Sequence, residues 1–210
     1  MRHKVASIRR REFFARFAFA VTTFSLMIRG LAKDQGIRLS PTPANGKQLE
    51  LTDEETSGPF FRPSSPLKTN FREPGVPGES ITLTGLVLDT EGKPVPGCLL
   101  DFWHANGDGQ YDLNGFRCRG HQFSDDQGRY SLATVVPGLY PGRTRHFHAR
   151  FQAPGESVKS TQLYFPGEPR NAEDMLFRSD LLIQLSPDKR RATFNFVAKT
   201  ALQRRGGGSP

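Results

Sequence analysis

The chain has 210 residues, enough for one domain with a substantial core and cramped for two. Its formal charge of +8 is concentrated at one end: seven of the 29 Lys/Arg and one of the 21 Asp/Glu fall in residues 1–32, leaving 22 basic against 20 acidic residues for the remainder. A nearly neutral body gives no electrostatic support to nucleic-acid binding, and 21 Gly, 16 Pro and 17 Phe point to a turn-rich β protein with an aromatic interior.

In chain order, a basic cluster runs into an apolar stretch, Phe17 to Ile28, too short to span a bilayer and sized like the apolar part of a signal peptide. Arg10-Arg11 followed by Glu12-Phe13-Phe14 is similar to a twin-arginine leader. Gly30 and Ala32 are small at the −3 and −1 positions of a cleavage after Ala32. Residues 1–32 are therefore expected to direct export, to the periplasm, or to anchor the chain in the membrane if they are not removed. A polar arm and linker follows over 33–57.

The body, 58–200, carries seven expected strands: "ITLTGLVLD" (81–89), "CLLDFWHA" (98–105), "RYSLATV" (129–135), "RHFHARFQA" (145–153), "STQLYF" (160–165), "LLIQL" (181–185) and "RATFNFVA" (191–198). The first two, joined by the turn "TEGKPVPG", are expected to form a hairpin. With turn-rich loops and no amphipathic helix in the body, the expectation is an all-β antiparallel sandwich of immunoglobulin-like or Greek-key topology with long functional loops. The tail 201–210, "ALQRRGGGSP", is too poor in apolar residues to pack. Cys98 and Cys118 fit one disulfide or two thiols, and no C-x-x-C suggests a thiolate zinc site.

Within "LYPGRTRHFHARF" (139–151), strand alternation sends His146 and His148 to one face and Phe147 and Ala149 to the other. An H-x-H pair alone is as often packing as ligation. Two tyrosines change the balance: Tyr140 in the Pro/Gly turn "PGLYPGR", and Tyr111 at the end of the Gly-rich loop "NGDGQY". Each alone reads as an ordinary loop aromatic. Together, two imidazoles and two phenolates suit a trivalent ion, with ferric iron as the natural candidate. Only a strong Lewis acid keeps two phenols of ordinary pKa about 10 ionised at neutral pH.

With those residues in view, the sequence resembles the intradiol ring-cleavage dioxygenases, the protocatechuate 3,4-dioxygenase and catechol 1,2-dioxygenase type. The matching stretches are "SGPFF" (57–61), "LTGLVLDTEGKPVPGCLLDFWHANGDGQYD" (83–112), "RGHQFSDDQGRYSLATVVPGLYPGRTRHFH" (119–148) and "TQLYFPGEP" (161–169). The resemblance implies non-haem Fe(III), with Tyr111 and His146 as in-plane ligands and Tyr140 and His148 as the axial pair. The axial tyrosinate would leave iron when a catechol arrives and help to take its protons. Arg143 matches the family's active-site arginine, stabilising charge on the substrate, and Gln162 a polar residue of the same pocket. Trp103 and His104 match a core anchor and its neighbour behind the ligands, not a fifth ligand. The implied reaction uses O2 to break the bond between the two hydroxylated carbons, giving a cis,cis-muconate-type diacid with no organic cofactor. Arg145 departs from the Pro or Ala common before the first histidine, and the body is shorter than in usual members. Self-association as a homo-oligomer stays open.

The alternative from another class is a non-catalytic β-sandwich module binding carbohydrate or another ligand, with adhesive tyrosines and incidental histidines. The leader makes a separate prediction. A reporter fused behind residues 1–45 should be exported with Arg10 and Arg11 present and retained when both are Lys, and equal export of both forms would contradict the route.

Overall fold

Alternating burial along "SITLTGLVL" places Ile81, Leu83 and Val87 inward and leaves Thr82, Thr84 and Leu86 half-covered, as a strand with one core face requires. This strand, β1 (Ser80–Leu88), is the first of nine in the computed structural model, which describes residues 48–200. The expected signal segment, the first part of the arm and the 201–210 tail lie outside the described residues. The others are β2 (Leu99–Trp103), β3 (Arg119–Phe123), β4 (Arg129–Val135), β5 (His146–Gln152), β6 (Lys159–Tyr164), β7 (Gln184–Leu185), β8 (Arg191–Thr193) and β9 (Phe196–Val197). Helix among the described residues is confined to two 3-10 turns, Pro169–Ala172 and Ser179–Leu181.

Two sheets form an all-β sandwich, as the sequence leads one to expect. One has the order β4-β1-β8-β7, with β9 also pairing β1, and the other the order β3-β2-β5-β6. Most pairings are antiparallel; β1–β8 and β1–β9 are parallel. Between the sheets lie Leu83, Leu100, Phe102, Leu132, Phe147, Phe151 and Phe196, all buried.

The expected strands are corrected at four places. The first two strands are not a hairpin: β1 pairs β4, whereas β2 pairs β3 and β5 in the opposite sheet. Pro94 and Pro96 have no N–H to continue a ladder, and the chain turns at Gly97, which holds φ 65°, into the other layer. "RGHQF" is a strand missed by hydrophobic periodicity, because its buried members include Arg119 and Gln122. "LLIQL" contributes only Gln184–Leu185, and "RATFNFVA" breaks in two where the Asn195 side-chain carbonyl accepts the Leu86 N–H in place of a ladder bond.

The register of β5 matters most. His148 stands opposite Trp103 on β2 and Gln162 on β6, and His146 stands opposite Tyr164. Directly opposed residues share a face, so one row across the sheet reads Trp103, His148, Gln162. That outer face is covered by the arm: Glu55 N–H donates to Ser160 O (2.8 Å), Ser57 Oγ meets Ser160 Oγ (2.7 Å), and Phe61 packs between Trp103 and the Arg150 guanidinium. Both faces of β5 are consequently buried.

Cys98 and Cys118 are free and buried, and burial pushes each thiol up to about 11. Thiol reagent at pH 8 should therefore label the native protein slowly and label both cysteines once it is unfolded. An unfolded chain with no reactive thiol would show a disulfide instead.

Candidate metal centre

Two turns deliver the tyrosines. "YPGR" has Pro at the second position and Gly142 at φ 76° in the third, with Arg143 N–H donating to Tyr140 O (3.0 Å), the pattern of a type II turn. Tyr140 and Arg143 are thus its two ends. In "NGDGQY" the Asn106 side chain accepts the N–H groups of Asp108 and Gln110, closing the loop that ends at Tyr111. The two loops press together where Gly109 takes φ 79°: a Cβ there would lie 2.1 Å from Leu139 O. Tyr111 and Tyr140 meet edge to face with ring centroids 6.0 Å apart.

Three donor atoms converge. His146 Nε2 lies 3.1 Å from His148 Nε2 and 3.5 Å from Tyr111 Oη. His146 Nδ1 sits 2.7 Å from Thr144 O, so Nδ1 carries the proton and Nε2 presents a lone pair inward. Burial, reinforced by the Arg143 charge, holds His146 down at about 4, and burial together with His146 holds His148 well below the ordinary imidazole value. Both rings are neutral at neutral pH. Two neutral imidazole nitrogens this close require a shared proton or a cation between them. His148 is clamped flat on Trp103 (4.9 Å, 2° between planes), and Gly58, at φ 65°, brings the arm so near that a Cβ would stand 3.2 Å from the imidazole Cε1.

Burial pushes the Tyr111 phenol above its ordinary value, against the downward pull of Arg143 and Arg119. Its phenolate therefore needs a strong cation. No group of three or more His, Cys, Asp or Glu able to hold a metal occurs among the described residues, and the oxygen that meets the histidine pair is Tyr111 Oη, 3.5 Å from His146 Nε2. Two borderline nitrogens and hard phenolate oxygen fit non-haem ferric iron better than zinc.

Arg143 and Gln162 are joined as well. Arg143 Nε donates to Asp174 Oδ2 (2.9 Å), and its terminal nitrogen donates to Gln162 Oε1 (2.6 Å). Trp103 is the expected anchor. His104 lies on the other side of β2, with Nδ1 2.7 Å from Ala105 O and Nε2 2.6 Å from Thr134 Oγ1, and it packs edge-on to Phe147.

No motif pointed to Asp174, in "NAEDML", nor to Glu55. Arg119 and Phe60 lay within stretches matched only as motifs. Arg119 is fully buried; it donates to Asp112 O (3.2 Å) and Phe60 O (2.5 Å), and Phe60 stacks on Tyr111 at 4.4 Å.

Residues 56–201 match the sequence model of the family described as "Dioxygenase". Catechol 1,2-dioxygenase of Pseudomonas sp. (strain EST1001) is 28% identical over 189 residues, covering 75% of this chain and 63% of that protein. The protocatechuate 3,4-dioxygenase beta chain of Burkholderia cepacia is 38% identical over 120 residues, 48% of this chain and 51% of its own. Among solved structures, the dioxygenase domain of a dioxygenase–carbohydrate-binding fusion from Streptomyces sp. SirexAA-E is 48% identical with a TM-score of 0.69, covering 72% of this chain and 100% of that one. The chain belongs to the intradiol ring-cleavage dioxygenase family, whose members use non-haem iron. It spans 51% to 63% of the length of the two curated relatives.

Asp174 makes the site acid-sensitive. Burial raises its carboxyl, but the N–H groups of Thr144 and Leu176 and the Arg143 guanidinium outweigh that and leave it below the ordinary carboxylate value. A depressed carboxyl contributes stability that is complete above about pH 4 and is lost as pH falls through the folded value. Asp174→Asn should be less stable near neutrality and lose this part of the acid slope in melting temperature against pH. Unchanged neutral stability and slope would leave Asp174 without that role.

Proposed function

We propose that this protein is a non-haem Fe(III) intradiol dioxygenase that cleaves a single-ring catechol with O2 to a cis,cis-muconate-type diacid. The observation that carries the reading is the convergence of His148 Nε2 and Tyr111 Oη on His146 Nε2, in a buried patch where the Tyr111 ring meets that of Tyr140. Ferric iron held by Tyr111, Tyr140, His146 and His148 would supply the Lewis acidity that activates a bound catecholate towards O2.

The residues divide the remaining work. Trp103 and the Thr144 carbonyl orient the imidazoles. Phe60, Phe61 and the arm keep water from their face of the sheet. Tyr140, on the rim turn, would accept the proton of the incoming catechol hydroxyl at its Oη if iron holds it there as a phenolate. Arg143, with two of its nitrogens committed to Asp174 and Gln162, keeps its other terminal nitrogen for negative charge on the substrate ring. We favour protocatechuate or a substituted catechol as substrate, met outside the cytoplasm after twin-arginine export. The family match over 56–201 weighs against the non-catalytic binding module.

The iron-loaded protein should show a tyrosinate-to-iron visible band. His146→Ala/His148→Ala should lose iron and band, Tyr140→Phe should shift the band, and Arg143→Leu should keep both while ring cleavage slows about 10²–10³-fold. Full iron and colour in the double histidine variant would contradict the ligand set.

A further inference from the structure

Glu55 sits where the arm touches the edge of the four-stranded sheet. Its N–H bonds to Ser160 O (2.8 Å), which fixes its backbone beside β6. Ser160, Gln162 and Tyr164 alternate along β6 and share a face. From that anchor the Glu55 carboxylate reaches along the row: Gln162 Nε2 donates to Glu55 Oε2 (3.2 Å), and the Tyr164 hydroxyl lies 3.3 Å from the same oxygen. The Thr56 carbonyl also accepts from Gln162 Nε2 (3.2 Å).

The Gln162 amide therefore has one sensible orientation. Two acceptors on the arm hold its NH2, so Oε1 is turned to accept from Arg143 (2.6 Å). The reverse orientation would set an NH2 against a guanidinium and an oxygen against two acceptors. Gln162 is fully buried, so water cannot repair that mismatch. We propose that Glu55 is a positioning residue: it fixes the Gln162 amide and, through it, the guanidinium of Arg143. The proposal rests on the reading of Arg143 as the cation that faces the substrate. It makes the arm part of the working site rather than a tether.

The test is a double-mutant cycle on the iron-loaded full chain, read as O2 uptake with catechol and with protocatechuate, together with the Gln162 side-chain amide resonances of the iron-free protein. Glu55→Ala should keep iron and the visible band, lower kcat/KM about tenfold and shift the Gln162 amide signals. Glu55→Gln, which keeps an acceptor oxygen, should recover most of the rate. Glu55→Ala/Arg143→Leu should be no worse than Arg143→Leu alone, because the path runs through Arg143. Should Glu55→Ala fail to fold, Glu55→Asp takes its place in the cycle with a smaller loss. Losses that multiply in the double variant, or a Glu55 variant with unchanged rate and amide signals, would overturn the proposal while the Arg143 reading stands. An Arg143→Leu variant of full activity would overturn both.

Discussion

The register of β5 against its two neighbours is the constraint on which the site depends. It sets Trp103, His148 and Gln162 in one row and His146 beside Tyr164. A slip of one residue would turn both histidines into the core and Phe147 and Ala149 out. The core prevents it: Phe147, Ala149 and Phe151 are buried between the sheets. Packing on one face thus fixes chemistry on the other.

Desolvation acts next. The arm and the two tyrosine loops close over the outer face, and burial keeps the imidazoles neutral while opposing ionisation of Tyr111. An ion in such a place would need tyrosine oxygen, ionised by the ion itself, to neutralise its charge. The cations nearby are held on fixed partners. Arg143 is paired with Asp174, the side chains being 16% and 2% exposed, so its orientation is set before any substrate arrives. Arg119 ties the carbonyl of Phe60 to that following Tyr111, which keeps the aromatic cover on the tyrosine.

Much of this was legible in the sequence, and the gaps have physical causes. The H-x-H alternation that sets His146 and His148 on one face, and the Pro/Gly turn that has Tyr140 and Arg143 at its two ends, are products of local rules. Strand pairing is not local. Nothing in "TEGKPVPG" says that its two flanking strands cross to different sheets rather than pair. "RGHQF" hides because a buried arginine breaks the apolar alternation that marks a strand. Glu55 and Asp174 act over 107 and 31 residues of separation, onto Gln162 and Arg143, so no spacing motif can report them. The Glu55 contact exists only once β6 and the arm lie side by side, and the Asp174 contact only once its loop folds against Arg143 and Thr144.

The proposed reaction breaks the ring between the two hydroxylated carbons and places both oxygen atoms of one O2 in the product. Turnover of a catechol by the iron-loaded protein under 18O2, with mass analysis of the product, tests it most directly. A muconate-type diacid carrying both labelled atoms is the expected product. A semialdehyde from cleavage outside the diol, or a diacid lacking one or both labelled atoms because its oxygen came from water, would contradict ring cleavage between the hydroxylated carbons.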